Sequence, residues 1–111
     1  MQIALSDIAF ARSGDKGADA NVGVWTHTVE SYLFLQQALT EAVVADHFAA
    51  LEPQAVERYE LPNLFALNFL LRGVLGIGGA AGGLRTDAQA KVYSARILRI
   101  ELDAPEGLVA R

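Results

Sequence analysis

The first 25 residues alternate apolar and polar positions in the manner of two β-strands. Residues 3–11 predict the first strand, but the parity of their apolar positions changes midway. We therefore expect either two covered faces or a bulge near Ser6-Asp7. A second strand is predicted over residues 21–25, where valines occupy alternate positions. The short glycine-containing segment between the two strands predicts a β-hairpin.

The next part of the chain has the spacing of helices. Thr28 is a suitable N-cap for a helix over residues 29–39, and Thr40 for a second helix that continues to about residue 50. After a proline that prevents the second helix from continuing, residues 56–61 predict a short strand.

A third helix is predicted to begin at Pro62-Asn63, with Asn63 as its cap, and to end near Gly73. Its apolar face includes Asn68. Residues 73–83 contain six glycines in eleven positions and predict a loop, because no regular element tolerates that density. Residues 92–102 alternate in their apolar positions and predict the last strand.

The order of these elements predicts an α+β domain with helices layered on one face of a sheet. A length of 111 residues, with 52% hydrophobic and 20% charged residues, fits one packed domain. We place this domain at residues 1–103, with a C-terminal tail at 104–111. The apolar fraction is more than a small interior holds, so it predicts a homo-oligomer with a buried subunit interface.

Charge and composition argue against several classes of function. The net charge of −4 argues against a nucleic-acid partner, and the absence of cysteine excludes disulfides and thiolate chemistry. His27 and His47 have no acidic partners at metal-ligand spacing, so no metal site is expected. The apolar segment 61–75 is interrupted by polar residues, and no basic segment precedes an apolar stretch near residue 1, so no secretory signal is expected. We therefore expect no membrane segment and a cytoplasmic location.

The most unusual segment joins the two N-terminal strands and reads RSGDKG from Arg12 to Gly17, with Asn21 four residues later. A turn requires its glycines, because glycine tolerates positive φ, but it does not require three charges as well. Arg12 and Lys16, with backbone amides around the glycines, are suited to a phosphate or carboxylate, although the charge of Asp15 partly offsets theirs. The alternative is a hairpin turn whose charges pair with one another.

Two further features are candidates for the same site. Asn68, on the predicted apolar helix face, is expected to be a clamp that hydrogen-bonds one of the two loops, with direct ligand contact as the alternative. The glycine-rich segment lacks the Lys-Ser/Thr ending of a P-loop and is interpreted as close backbone packing or a flap. The candidate ligand-binding residues are Arg12, Ser13, Gly14, Asp15, Lys16, Gly17, Asn21, Asn68, Gly78, Gly79 and Arg85.

The chain resembles the small C-terminal domain of the acyclic terpene utilisation (AtuA-like) proteins. The matching residues are 11–17 with 21–24, 56–63 with 66–69, and 84–87 before Lys91, in the family's order. This resemblance implies a ferredoxin-like two-layer sandwich with about four strands and helices on one face. Because larger relatives carry a long N-terminal domain before this one, we expect a free-standing version that works with a larger AtuA-type subunit.

The resemblance also implies a role in the catabolism of acyl-CoA or terpenoid compounds. The leading hypothesis is a non-catalytic accessory subunit that assembles with copies of itself and binds an anionic small molecule at a subunit interface, without a cofactor. The alternative is a small hydratase- or isomerase-like enzyme in which Asp15 acts as acid or base and Lys16 stabilises negative charge. The sequence leaves open the ligand, the oligomer number, and whether segments 12–17 and 73–83 meet in space.

Overall fold

The structure, a computed structural model, describes residues 1–74 and 87–108, and only the backbone of Lys16 and of residues 87–91. Within these residues the chain forms six strands and three helices. In chain order they are β1 (Gln2–Ala4), β2 (Phe10–Lys16), β3 (Asp19–Trp25), α1 (Val29–Ala38), α2 (Glu41–His47), β4 (Ala55–Leu61), β5 (Ala66–Arg72), α3 (Asp87–Ile97) and β6 (Glu101–Asp103).

The centre of the fold is a four-stranded antiparallel sheet in the order β2-β3-β5-β4. The strands at the chain ends, β1 and β6, pair with each other in a separate antiparallel two-stranded sheet. The predicted α+β class and the four-stranded sheet are confirmed.

One face of the four-stranded sheet forms the core. Its central residues are completely buried, and they come from alternate positions of β3 and β5: Ala20, Val22, Val24, Leu67, Phe69 and Leu71. Helix α3 lies on this face, because Ser94 N donates to Ser13 Oγ at 3.2 Å. The buried side chains of α1 and α2 belong to the same core cluster. The helices therefore cover one face, as predicted.

The opposite face of the sheet carries no helix in the described part of the chain, and we call it the helix-free face. Trp25 and Leu70 point to this side and lie outside the core cluster. The face is formed by the alternate residues of each strand that do not enter the core.

The first predicted strand is interrupted. A 3₁₀ turn at Leu5–Asp7 separates β1 from β2, and Ala4 N donates to Asp7 Oδ2 at 3.0 Å in that turn. The change of parity near Ser6-Asp7 marks the point where the chain passes from one sheet to the other. It is neither a bulge nor a strand covered on both faces.

The two helix starts are confirmed. Thr28 Oγ1 accepts from Ser31 N, and Thr40 Oγ1 accepts from Val43 N, both at 3.2 Å. Each hydroxyl satisfies an amide that has no partner within the first turn of its helix. The second helix is shorter than predicted, because it ends at His47 and a separate 3₁₀ turn follows.

The predicted third helix is wrong. After a 3₁₀ turn at Pro62–Leu64, the residues that follow form strand β5. Phe65, between them, has a φ of +50°. From Leu67 onward, buried side chains recur at every second residue of β5, which is the period of a strand. The apolar Leu70 on the other face disguises this period in the sequence.

The predicted last strand is also wrong over most of its length. Helix α3 occupies the chain to Ile97, with Tyr93 and Ile97 buried four residues apart on one helix face. Only β6 is a strand, and its Leu102 packs into the core. The chain ends meet here, because Ala104 N donates to Met1 O at 2.8 Å.

No helix within residues 1–74 and 87–108 is long and apolar enough to cross a membrane. The predicted glycine-rich loop lies almost entirely outside the described residues.

Candidate functional site

The hairpin is confirmed, but the charged segment is a strand and not the predicted loop. Residues Arg12 to Lys16 pair with β3 through to Lys16 opposite Asp19. The turn itself consists of Gly17 and Ala18, and Gly17 has a φ of +66°. Because side chains of a strand alternate between faces, the segment is divided between the two sides of the sheet.

Arg12 and Gly14 belong to the helix-free face, and the strand register places residues from the other strands beside them. Two adjacent rows cross this face, each with one residue from each strand: Arg12, Gly23, Asn68 and Tyr59 in the first, and Gly14, Asn21, Leu70 and Glu57 in the second. Four predicted site residues lie in these rows: Gly14 and, from three different strands, the polar residues Arg12, Asn21 and Asn68. We call these three residues the polar cluster.

Glycine backbone lies beside the side chains of the polar cluster. A Cβ at Gly14 would lie 3.1 Å from Asn21 Oδ1, and a Cβ at Gly23 would lie 3.8 Å from Asn68 Oδ1. The absence of side chains at the two glycines keeps the surface between the polar groups open.

The hydrogen-bonding capacity of the polar cluster is not used within the described residues. Arg12 is exposed, and Asn21 and Asn68 are half-buried. In the described part of the chain, no side-chain hydrogen bond or ion pair engages any of the three. A guanidinium and two amides, with free donors on one surface, are suited to a carboxylate or phosphate.

A charged network borders the polar cluster. Arg72 Nε lies 3.2 Å from Glu57 Oε2, and Arg72 Nη1 lies 3.2 Å from Asp19 Oδ2. Tyr59 donates its hydroxyl to Glu57 Oε1 at 2.7 Å. The hydrogen bonds from Arg72 and Tyr59 hold the pKa of Glu57 below its ordinary value, and the bond to Glu57 raises the pKa of Tyr59. Arg72 is therefore neutralised, in contrast to Arg12.

The next row on the same face is apolar, and we call it the apolar row: Phe10, Trp25, Ala66 and Leu61. Phe10 is 46% exposed and Leu61 41% exposed. The Phe10 ring stacks on Trp25 at 5.8 Å and meets the His27 ring edge-on at 4.7 Å. The helix-free face therefore combines an apolar end with a polar centre.

Ser13, Asp15 and Gly17 of the charged segment do not contribute to the helix-free face. Ser13 and Asp15 have the parity of the helix-covered side, where the Ser13 hydroxyl accepts from α3. Asp15 is exposed and has an interaction of its own. Gly17 forms the turn, whereas Lys16, paired with Asp19, shares the strand parity of Arg12 and Gly14. A single site formed by the whole segment is therefore excluded by strand geometry.

The predicted position of Asn68 on an apolar helix face is wrong. Strand β5 places it on the other side of the sheet from the core, and within the described residues it makes no hydrogen bond to the charged segment. A contact with the glycine-rich segment would involve Gly78 or Gly79, which lie outside the described residues, as does Arg85. The start of that segment is visible, because Gly73 N donates to Asp19 Oδ1 at 2.8 Å. The glycine-rich segment thus begins beside the end of the hairpin.

Four contributors to this surface were not among the predicted site residues: Gly23, Tyr59, Glu57 and Arg72. The signal that identifies them is the pairing register of the four strands, and this register can be worked out only if residues 66–72 are recognised as a strand. With residues 66–72 as a strand, Asn68 pairs with Gly23 on one side and with Tyr59 on the other.

A surface cavity of about 530 Å³ lies elsewhere, lined by Thr40, Glu41, Ala42, Arg58 and Glu60. Its arginine is already engaged. Arg58 Nη1 donates to the carbonyls of Gln36 and Leu39, each at 3.0 Å, and Arg58 Nη2 pairs with Glu60 at 3.0 Å. We interpret Arg58 as a link between β4 and the C-terminal end of α1.

No group of three or more metal-ligating side chains occurs among the residues that the structure describes.

The family model described as the AtuA ferredoxin-like domain matches residues 3–103. This match confirms the resemblance and the ferredoxin-like fold expected from it. No curated protein and no solved structure matches the chain.

Proposed function

Because the chain belongs to the family of AtuA ferredoxin-like domains, we propose that it is an accessory binding and assembly domain in acyl-CoA or terpenoid catabolism. Its ligand is an anionic small molecule held by the polar cluster of Arg12, Asn21 and Asn68. Its apolar row contributes to a subunit interface, formed with copies of this chain or with a larger AtuA-type subunit.

The observation that carries the proposal is the convergence of the polar cluster. Its three side chains come from β2, β3 and β5 and lie in two adjacent rows of one face, with Arg12 and Asn68 on either side of Gly23. The described residues offer them no hydrogen-bond partner, whereas Arg58 and Arg72 are both fully engaged. A hydrogen bond to a charged group contributes about 1.5–3 kcal/mol, so one anion on Arg12 supplies measurable affinity.

The enzymatic alternative has less support. Asp15, its proposed acid or base, has the parity of the helix-covered side and not that of the polar cluster. An anion held by Arg12 would therefore not face the Asp15 carboxyl. A binding role requires only the groups that share the helix-free face.

The proposal is tested by isothermal titration calorimetry with acetyl-CoA, with inorganic phosphate and acetate as separate probes for a phosphate and for a carboxylate. Arg12→Gln is expected to weaken binding of acetyl-CoA by about tenfold or more, which corresponds to the loss of one charge-assisted hydrogen bond. Binding of acetate without phosphate, or the reverse, identifies the anion that Arg12 prefers.

Arg99→Gln is the matched control, because Arg99 is also exposed but lies beyond the C-terminal end of α3. Its affinity for acetyl-CoA is expected to equal that of the wild type. Equal loss in the two variants would indicate a general charge effect, and unchanged affinity in Arg12→Gln would overturn the proposal.

A further inference from the structure

The helix-free face has the properties of a surface that is covered in the assembled protein. Phe10, Tyr59 and Leu61 are each more than 40% exposed on it, and Trp25 stacks on Phe10 there. Large apolar side chains gathered on one sheet face are typical of an interface, whereas scattered ones need no explanation.

We propose that the occupant of this face is a second copy of the chain, packed face to face about a two-fold axis that runs parallel to the strands between β3 and β5. This inference rests on the proposed function, since it identifies the subunit interface at which the anion binds. Such an axis places each residue of β2 over β4 of the partner, and each residue of β3 over β5 of the partner, within the same row.

The residue sizes on the face fit this arrangement. In the apolar row, Trp25 lies over Ala66 of the partner subunit and Phe10 over Leu61 of the partner subunit. In the next two rows, Asn68 and Glu57 lie over glycines of the partner. Trp25, Asn68 and Glu57 thus each face a small residue and Phe10 faces another apolar side chain, whereas Asn21 lies over Leu70 of the partner subunit.

The charges fit as well. Arg12 lies over the ring of Tyr59 of the partner subunit, a cation–π arrangement that covers the face of the guanidinium and leaves its in-plane N–H donors for the anion. At the end of the face, Asp19 lies over Arg72 of the partner subunit. Within one chain these two residues already form an ion pair at 3.2 Å, so the two copies bring together four alternating charges.

The other in-plane two-fold axis, perpendicular to the strands, is disfavoured by the same residues. It would place the apolar row over the charged end of the face, with Trp25 against Asp19 of the partner subunit. Ala66 would then lie against Arg72 of the partner subunit. Both contacts bury a charged group against an apolar one, which costs free energy without a compensating hydrogen bond.

The size of the face predicts a modest affinity. The four strands lie about 4.8 Å apart, and each has seven residues with a rise of about 3.3 Å per residue. The sheet therefore covers about 440 Å² of flat area on each copy. Side chains that protrude add to this value, but the total stays near the lower end of specific interfaces. We therefore expect a dimer that dissociates in the micromolar range.

The experiment is sedimentation velocity of the full chain over a micromolar to millimolar concentration series, with Leu61→Lys and Leu33→Lys compared. Both variants replace an exposed leucine by the same cation, but Leu33 lies on α1 and is 52% exposed. Leu61→Lys is expected to raise the dimer dissociation constant by about tenfold or more. Leu33→Lys is expected to leave it unchanged.

A mixing experiment tests the axis. Arg12→Glu and Tyr59→Arg each abolish the cation–π contact between positions 12 and 59 in their own homodimer. In a mixed dimer, the carboxylate introduced at position 12 lies over the guanidinium introduced at position 59 of the partner subunit, and the two charges attract. The mixture is expected to associate more tightly than either variant alone. A mixture no tighter than its components overturns the proposed axis, and a wild type that is monomeric throughout the series overturns the second copy as occupant.

Loss of dimer in Leu33→Lys with an intact dimer in Leu61→Lys overturns the choice of face. Leu61→Lys keeps the polar cluster unchanged, so its titration with acetyl-CoA tests the proposed function separately from dimerisation.

Discussion

At the scale of single residues, three arginines in the sheet differ in what surrounds them. Arg58 donates to two helix carbonyls, and Arg72 is held between two carboxylates. Arg12 has no such partner in the described chain. The same residue type therefore serves as a structural link, as part of an ion-pair network and as a binding candidate, and the neighbours decide which.

Tyr32 is buried, and its hydroxyl has no hydrogen-bond partner within the described residues. Tyr32→Phe keeps the ring that packs near Phe65 and removes an unsatisfied polar atom. The variant is expected to be more stable than the wild type by about 1 kcal/mol. Urea unfolding measures the difference, and a loss of stability would show that the hydroxyl is bonded in the folded protein.

Glu57 gives a pH-dependent prediction. Its pKa is held below the ordinary value of 4.5 by Arg72 and Tyr59, so its contribution to stability is present above pH 4.5 and is lost as the pH falls through the lowered value. The stability difference between wild type and Glu57→Gln should therefore shrink from pH 7 to pH 3. Urea midpoints of both proteins at the two pH values check this, and a difference that grows toward pH 3 contradicts it.

At the scale of elements, the site depends on the β2-β3 hairpin. Its register places Gly14 beside Asn21, and Arg12 beside Gly23. Strand β5 then adds Asn68 on the other side of β3. A shift of one residue in the hairpin would move the whole segment to the opposite face and separate Arg12 from both asparagines.

Gly17 fixes that register through its positive φ. A Cβ at this position would contact nothing within 4 Å, so a substitution acts through backbone conformation alone. Gly17→Ala is expected to lower stability by about 1 kcal/mol, and Gly17→Asn by less, because asparagine tolerates the left-handed region. Thermal unfolding of the two variants measures the effects. Equal losses would mean that the turn does not keep this conformation.

At the scale of the whole molecule, the two chain ends hold each other in place. The pairing of β1 with β6 places Ile3 opposite Leu102, and both side chains are buried. The exposed ion pair between the N-terminal amine and Asp103 lies at the same junction. Burial, not the exposed ion pair, is expected to provide most of the stability there.

Ile3→Ala tests this account of the junction. It removes a buried side chain from the core and is expected to cost about 2–5 kcal/mol, although the residue lies third from the N-terminus. Asp103→Asn is expected to change stability by less than about 1 kcal/mol, because exposed ion pairs contribute little. Urea unfolding of both variants compares the two effects, and a larger loss in Asp103→Asn would contradict the account.

Local signals in the sequence explain which parts of the fold could be predicted. The caps Thr28 and Thr40, the glycine turn and the alternating valines of β3 each act over a few residues. The interpretation of residues 66–72 as a helix, by contrast, arose because Leu70 adds an apolar position on the helix-free face. The sequence does not reveal the α-helix at 87–97, because the apolar residues at 98, 100 and 102 alternate with polar ones and so predict a strand over 92–102.

The candidate site was predictable as a set of residues but not as an arrangement. Arg12, Asn21 and Asn68 stand out by type, yet their convergence depends on β5 being a strand in register with β3. Ser13 and Asp15 are separated from them because neighbours in a strand face opposite ways. Pairing between distant strands has no local signal in a single sequence.

The most direct test of the central claim is a two-dimensional NMR spectrum of the side-chain amides during titration with acetyl-CoA. The chain has three asparagines, of which Asn21 and Asn68 belong to the polar cluster and Asn63 lies in the turn before β5. The account predicts that the amide signals of Asn21 and Asn68 shift together with the ligand concentration while that of Asn63 stays in place. Saturable binding that leaves Asn21 and Asn68 unshifted would contradict it.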